Sequence, residues 1–337
     1  MTASQAPTAE LQAELERALA QRGEDGAIER MGREPAEYRT SFGLEQLDVT
    51  LANGTQLHLM LKDLGRGSLE DHSLRAKHEF MHDPLREIEV YRDVLDRAGL
   101  GTAAYYGSHV DPGRDRYWLF IENVHGPVLW QLGEFNVWEE AARWLARMHL
   151  ALAPVADDPP PTLLRYGPEL FGTWIARARE FADRADTPWS EEQREQVRSL
   201  ARRYDPVVAE LAALPRHFIH GEFYPSNVLV QLDSKLRVCP IDWEIAAVGP
   251  PLLDLAALTI GRWTPAQADA LTAAYREALD EQDGPQVHVD DFDRALECCR
   301  LHLAVQWLGW DPLWEPPPDH RHDWLGDAMR MAHTLGL

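Results

Sequence analysis

Hydrophobic and polar positions change rhythm several times along the chain. Near the N-terminus, ELQAELERALAQR repeats its apolar residues every three to four positions, which predicts an exposed helix stopping near Gly23. From Tyr38 the pattern turns to alternation. LEQLDVTL and LHLMLKDL flank Asn53-Gly54, a dipeptide suited to the tight turn of a β-hairpin. Along the second strand Leu57, Leu59 and Leu61 share one face, and His58, Met60 and Lys62 share the other. Asp83-Pro84 then opens a helix, Asp as N-cap and Pro at the first helical position, running through LREIEVYRDVLDRAG to Gly99. The apolar stretch RYWLFIENV reads as a strand and ends in a turn at His125-Gly126-Pro127.

Beyond this turn the helical period dominates. WEEAARWLARMHLALA is amphipathic and stops before ADDPPP, and capping-box patterns at Ser190–Gln193 and Thr264–Gln267 open further helices. FDRALECCRLHLAVQWLGW and HDWLGDAMRMAHTLGL read as the last two helices. The expected layout is an N-terminal helical extension over 1–36, a strand-rich lobe over 37–124 and a mostly helical lobe over 125–337. No internal repeat is evident.

Composition narrows the classes. The 337 residues carry 33 Lys+Arg against 55 Asp+Glu, a formal net charge of −22. That balance argues against a nucleic-acid or membrane-surface partner, since both need a basic face, and it would suit a cationic small molecule. Three cysteines, Cys239, Cys298 and Cys299, do not make a disulfide framework, and the adjacent pair Cys298–Cys299, in an apolar stretch, reads as buried thiols. No run of 18 apolar residues exists, and the N-terminus has neither the basic start nor the apolar core of a signal peptide. The expectation is a cytoplasmic protein.

One short β-rich segment interrupts the helical half: HFIHGEFYPSNVLVQLDSKLRVCPIDWE. NVLVQ and LRVCPID form the two arms of a hairpin, and a turn centred between Ser234 and Lys235 would set Asn227 opposite Asp242. An amide oxygen and a carboxylate make a partial hard-oxygen set, which suits Mg²⁺ sharing its ligands with water and phosphate. Glu222 stands five residues before Asn227, on the loop entering the first arm. A carboxylate, a five-residue step to Asn and a hairpin to Asp is the layout that a kinase catalytic loop requires.

HGEFYPSNVLV followed by IDWEIAAVGPPLLDLA closely resembles the paired motifs of the aminoglycoside phosphotransferase and choline kinase-like superfamily. The resemblance runs from about Tyr38 to the C-terminus, with Lys62, the Glu87 helix and the LFIENV strand in the expected order. It implies an α+β, bilobal, protein-kinase-like fold with a small antiparallel-sheet N-lobe and a larger, mostly helical C-lobe. It also implies ATP and Mg²⁺ as cofactors and a small-molecule hydroxyl acceptor: sugar-like, aminoglycoside-like or an amino alcohol. By the same resemblance Lys62 would pair with the α/β-phosphates and Glu87 would hold Lys62. Glu122 and Val124 would offer backbone groups to adenine, with Ile121 lining the pocket. Asn227 and Asp242 would bind Mg²⁺, and Glu222 would orient the acceptor hydroxyl and take its proton. His220 and Asp254 would brace the loop.

Glu89 competes with Glu87 for the lysine. Positions 87, 91, 94 and 98 share one helical face with apolar Tyr91, Val94 and Ala98, so Glu87 is the inward carboxylate. Two features depart from the family pattern. Glu222 stands where the family has Asp, and an added methylene moves a carboxylate by about 1 Å, a displacement that can cost on the order of a hundredfold in rate. YRTSFGLEQL lacks a Gly-rich run, leaving Ser41, Phe42 and Gly43 to meet phosphate. A non-catalytic nucleotide-binding pseudokinase is therefore the alternative reading.

His78-Glu79-Phe80-Met81-His82 matches the HExxH pattern of zinc hydrolases, a more distant alternative. That chemistry needs the motif inside a packed helix, and Asp83-Pro84 follows at once. His320 and His322 fall in a polar, Pro-rich loop and read as solvent-facing. Trp307 and Trp310 have helical spacing and predict core packing, or a wall for a sugar ring.

Overall fold

A computed structural model describes residues 7–23, 27–36, 42–69, 81–232, 235–261, 263–281, 289–310 and 321–337. The chain divides into two compact units. One comprises residues through Val128 together with Val228–Ile245, and the other comprises Leu129–Asn227 and Ala246–Leu337.

The first unit is built on helix α1 (Thr8–Gln21) and a five-stranded sheet. The strands are β1 (Ile28–Pro35), β2 (Leu44–Leu51), β3 (Gln56–Asp63), β4 (Tyr105–Asp111) and β5 (Arg116–Glu122), in the order β1-β2-β3-β5-β4. Leu11, Leu15, Ala18 and Leu19 on α1 pack on Leu47, Val49, Leu51, Leu59, Leu61, Trp118 and Phe120 of the sheet, so this layer buries the inward side chains of three strands. Gly107 (φ +142°) lets α1 come close, since a Cβ there would lie 2.5 Å from that of Ala18.

Two strands here fall outside the sequence expectation. Residues 28–35, placed in a helical extension, form β1, paired antiparallel with β2. IERMGREP buries only Ile28 and so carries almost no apolar alternation, while Arg33 holds it to β2 by an ion pair to Glu45 at 2.7 Å. YYGSHVD, which forms β4, is interrupted by a register shift between Tyr105 and Gly107. Helix α2 (Arg86–Glu89) continues into a π-helical stretch, Val90–Leu95.

The hairpin β8 (Val228–Leu232) and β9 (Leu236–Pro240) belongs to this unit although it is remote in sequence. Val230 donates to the Pro127 carbonyl at 2.9 Å, and Arg237 donates to the Gly101 and Thr102 carbonyls. Its ladder pairs Val228 with Pro240 and Leu232 with Leu236, one residue off the expected register. Asn227 and Asp242 therefore lie beyond the ladder and do not form one of its pairs.

The second unit is mainly helical: α3 (Phe135–Ala151), α4 (Pro168–Asp183), α5 (Glu191–Ala201), α6 (Asp205–Ala213), α7 (Leu252–Thr259), α8 (Pro265–Asp280), α9 (Phe292–Trp310) and α10 (Trp324–Thr334). Both capping boxes are formed, at Ser190 with Gln193 and at Thr264 with Gln267. A small sheet completes the unit, β6 (Leu164–Arg165), β10 (Ala247–Gly249) and β7 (His217–Ile219) in the order β6-β10-β7. Helix α7 is buried over its whole length. Cys239, Cys298 and Cys299 are free and buried.

Trp307 is half-buried, stacked on Trp324 at 5.5 Å between ring centroids, and Trp310 lies against Trp174 at 6.0 Å. Ring packing is thus the observed state of both. His322 is not solvent-facing as expected: it is half-buried, bonds Asp327 at 2.7 Å and lies on Trp324. His320 lies outside the described residues. No helix among the described residues is long and apolar enough to cross a membrane.

Candidate active site

Strand alternation decides where Lys62 points. Leu59 and Leu61 face α1, so Lys62 projects from the other side of β3, where only 7% of it remains exposed. Its Nζ lies 2.6 Å from Glu87 Oε2 and 2.5 Å from Asp242 Oδ1. Glu87, in the first turn of α2, is buried, and its other oxygen accepts the Trp243 N–H at 3.3 Å. Glu89, two residues on, is only half-buried. Asp242 adopts φ +66°, a left-handed conformation that Asp tolerates better than most side chains. Arg86, which sequence reasoning missed, is 2% exposed and donates to the Met81 and Glu244 carbonyls at 2.8 and 2.6 Å, pinning the chain around Asp242.

Charge in this cluster is unbalanced. Burial by itself would push the Lys62 ammonium down, but Asp242, Glu87 and Glu244 reverse that and hold it above the ordinary lysine range. Burial also lifts the Glu87 carboxyl; Lys62 opposes the rise, and Asp242 and Glu244 add to it. The Phe42 ring centroid lies 5.6 Å from the ammonium. Ser41 lies outside the described residues.

The end of β5 presents Ile121 and, beyond it, Val124, 6% and 8% exposed. Glu122 and Asn123 spend their N–H groups on the Ala104 and His58 carbonyls, while that of Val124 has no hydrogen-bond partner among the described residues. The Glu122 carboxylate is committed to structure. Both oxygens accept from Arg237 at 2.7 Å, a pairing that holds the carboxyl below its usual range. Arg237 is a second residue that sequence reasoning missed, because its partners lie far away along the chain.

In the second unit the loop His220–Asn227 is held from behind. Asp254 on α7 is fully buried and accepts the N–H groups of His220 at 2.7 Å and Gly221 at 2.8 Å. Gly221 sits at φ +86°, a conformation that favours glycine. His220 Nδ1 accepts the Glu222 N–H at 3.2 Å, and the Glu222 carbonyl accepts from Asn227 Nδ2 at 3.1 Å. The Glu222 side chain is partly exposed. Burial, and then the nearby Glu222 carboxylate, push the Tyr224 hydroxyl pKa far up, although this hydroxyl accepts from Trp307 Nε1 at 3.1 Å.

The structure therefore brings Lys62, Glu87 and Asp242 together in the first unit, and His220, Glu222, Asn227 and Asp254 together in the second. His78, Glu79 and Phe80 of the HExxH segment lie outside the described residues. His82 is not helical, and its Nε2 is within hydrogen-bond distance of the Leu64 carbonyl at 3.2 Å, so the helical frame that a zinc hydrolase needs is missing at this end.

The sequence model of the phosphotransferase enzyme family, APH, matches residues 70–289, nearly two thirds of the chain. The chain belongs to that family. This phosphotransferase, a small-molecule kinase, also resembles several solved structures. LicA, the choline kinase of Streptococcus pneumoniae, in complex with AMP aligns at 16% identity with a TM-score of 0.56, covering 97% of each chain. A choline/ethanolamine kinase family protein from Mesorhizobium loti aligns at 16% identity, TM-score 0.54, over 98% of this chain and 93% of that one. The GDP complex of aminoglycoside 2'-phosphotransferase-IIIa aligns at 14% identity, TM-score 0.54, over 96% and 97%. At these identities the likeness shows the fold, which is protein-kinase-like. A comparison with curated protein sequences finds no significant match.

Proposed function

We propose that this phosphotransferase moves the γ-phosphoryl group of ATP, with Mg²⁺, to a hydroxyl of a small acceptor: a sugar-like molecule, an aminoglycoside or an amino alcohol. The observation that carries the reading is the Lys62 cluster, in which one buried ammonium faces Glu87, Asp242 and Glu244. Its excess of carboxylate suits a divalent cation arriving with an anionic nucleotide. The AMP and GDP complexes of the similar proteins support a nucleotide ligand.

The donor chemistry fits Mg²⁺. Asp242 offers a hard carboxylate, and Asn227 has its Nδ2 engaged by the Glu222 carbonyl, which leaves Oδ1 as its acceptor atom. When bound, the ion neutralises charge on the transferring phosphates. The protein's own residues do the rest. Lys62 binds the α/β-phosphates and Glu87 holds it there. The Glu122 carbonyl and Val124 N–H meet adenine beside Ile121. Glu222 orients the acceptor hydroxyl and takes its proton as that oxygen bonds to the γ-phosphorus and ADP leaves, while His220 and Asp254 keep the loop in place. In this reading the chain through residue 124 binds nucleotide, and residues 125–337 bind acceptor and carry the catalytic loop.

The test is a melting-temperature shift on adding Mg-ATP, followed by ADP release with an acceptor panel. Ligand at about a hundred times its dissociation constant stabilises by about 2.7 kcal/mol, a shift of several degrees. Asp242→Ala should weaken the shift and abolish turnover. Glu222→Gln should keep the shift and lose most of the turnover. Absence of a shift in the unaltered protein overturns the proposal; a shift with no turnover on any acceptor leaves nucleotide binding without transfer.

A further inference from the structure

Asp254 does not act alone. Its Oδ2, besides accepting the His220 N–H, lies 3.2 Å from His149 Nε2, and His149 Nδ1 lies 2.9 Å from the Tyr275 hydroxyl. His149, Asp254 and Tyr275 are all buried, in the last turn of α3, the first turn of α7 and the interior of α8. The imidazole and phenol rings meet nearly edge-on, 75° apart.

With Asp254 ionised and the His149 ring neutral, hydrogen-bond chemistry sets the direction of each bond in this chain. An ionised carboxylate can only accept, so His149 Nε2 carries a proton and donates to Asp254. A neutral ring then leaves Nδ1 as an acceptor, filled by the Tyr275 O–H. Asp254 passes the constraint on, through the His220 and Gly221 N–H groups and then through His220 Nδ1 to the Glu222 N–H. The two backbone donors, one on each oxygen, tie the Asp254 carboxylate to the loop it holds. His149, itself oriented by Tyr275, ties the same carboxylate to α3 and α8, so the loop is anchored to the helices and not to Asp254 alone.

We propose that His149 and Tyr275 are positioning residues for phosphoryl transfer: a buried Tyr–His pair that orients Asp254 and thereby sets the backbone carrying Glu222. The proposal rests on the reading of Glu222 as the acceptor-orienting carboxylate. A group that only fills space would tolerate any substitution of similar volume. A positioning group responds to loss of the N–H donor and recovers when that donor is restored.

The experiment compares His149→Leu, His149→Gln and Tyr275→Phe. It reads amide hydrogen exchange at His220 and Gly221 beside phosphoryl transfer from ATP, to water where no alcohol acceptor is in hand. His149→Leu should speed exchange at those two amides by on the order of tenfold relative to the rest of the unit. It should also lower kcat by about ten- to a hundredfold with the KM for ATP within about twofold. His149→Gln, whose amide N–H can reach the same carboxylate oxygen, should recover most of both. Tyr275→Phe should shift both in the direction of Leu, by less. The proposal is overturned if Leu and Gln lose kcat alike, in step with melting temperature, while protection at His220 and Gly221 is unchanged. If His149→Leu does not fold, Tyr275→Phe decides: unchanged exchange at those amides refutes the pair. A wild-type protein that transfers no phosphate would defeat the reading of Glu222, while the exchange measurements would still decide whether the relay holds the loop.

Discussion

The Lys62 and Asp254 clusters are both buried and both built on carboxylates, yet their accounts of charge are opposite. Around Lys62 one ammonium faces Glu87, Asp242 and Glu244, so negative charge is in excess. Around Asp254 one carboxylate takes donors from His220, Gly221 and His149, so every demand is met. The contrast separates two tasks that a phosphotransferase must perform. In the proposed reading, a group that receives a cation and a polyanion is left electrostatically incomplete, whereas a group that holds a loop is completed in advance.

The sharpest way to break this comparison is to remove Lys62. Lys62→Met leaves the buried Glu87 without its cation beside the partly exposed Asp242 and Glu244, and loss of one partner of a buried pair costs about 3–5 kcal/mol. Urea unfolding should show a loss of that size, and adding Glu87→Gln should recover part of it by removing one stranded charge. A Lys62→Met protein as stable as the parent would show that the cluster carries no electrostatic load.

A smaller effect tests whether a buried histidine of the second unit is held uncharged. His302 on α9 is fully buried, and its Nδ1 lies 3.3 Å from the Tyr204 hydroxyl. Burial pushes its pKa down to about 3 from the ordinary 6.5. A histidine depressed in the folded state binds its proton more readily when unfolded. Its contribution is therefore complete above pH 6.5 and is lost as pH falls toward 3. Between pH 7 and pH 4 that amounts to about 3 kcal/mol at 1.36 kcal/mol per unit. His302→Phe should narrow its stability gap to the parent by this amount over the same range. A gap that stays constant with pH would mean that His302 is not held neutral.

How much of this was legible in the sequence follows from the range of the interactions. The β2–β3 hairpin, the inward Glu87 and the two capping boxes each depend on residues within a few positions of one another, where spacing is informative. Strand β1 buries only Ile28, so its pairing with β2 leaves no apolar rhythm to read. The β8–β9 register slipped by one because alternation fixes which face a residue takes but leaves the turn centre open. His149, Asp254 and Tyr275 come from three helices, with His149 lying 105 and 126 residues from its two partners. A lone histidine on an apolar helix reads as core until the fold supplies both neighbours.

The smallest effect sharpens the comparison at its edge, where a charge pair is only partly buried. Arg237 meets Glu122 in a two-pronged pair, each side chain 27% exposed, and also donates to Gly101, Thr102 and Gln231. Unlike the Lys62 cluster this pair is balanced, and water screens it, so Arg237→Met should cost only about 1 kcal/mol of stability. Its larger consequence should be local. Glu122 and the 101–102 turn lose a shared anchor, so the KM for ATP should rise severalfold with kcat nearly unchanged. A double-mutant cycle with Glu122→Gln should return a coupling of about 0.5–1 kcal/mol that shrinks in high salt. If Arg237→Met leaves ATP affinity unaltered, the strand end is held well enough by backbone hydrogen bonds to Ala104 and His58, and the ion pair is ornament on the proposed nucleotide site.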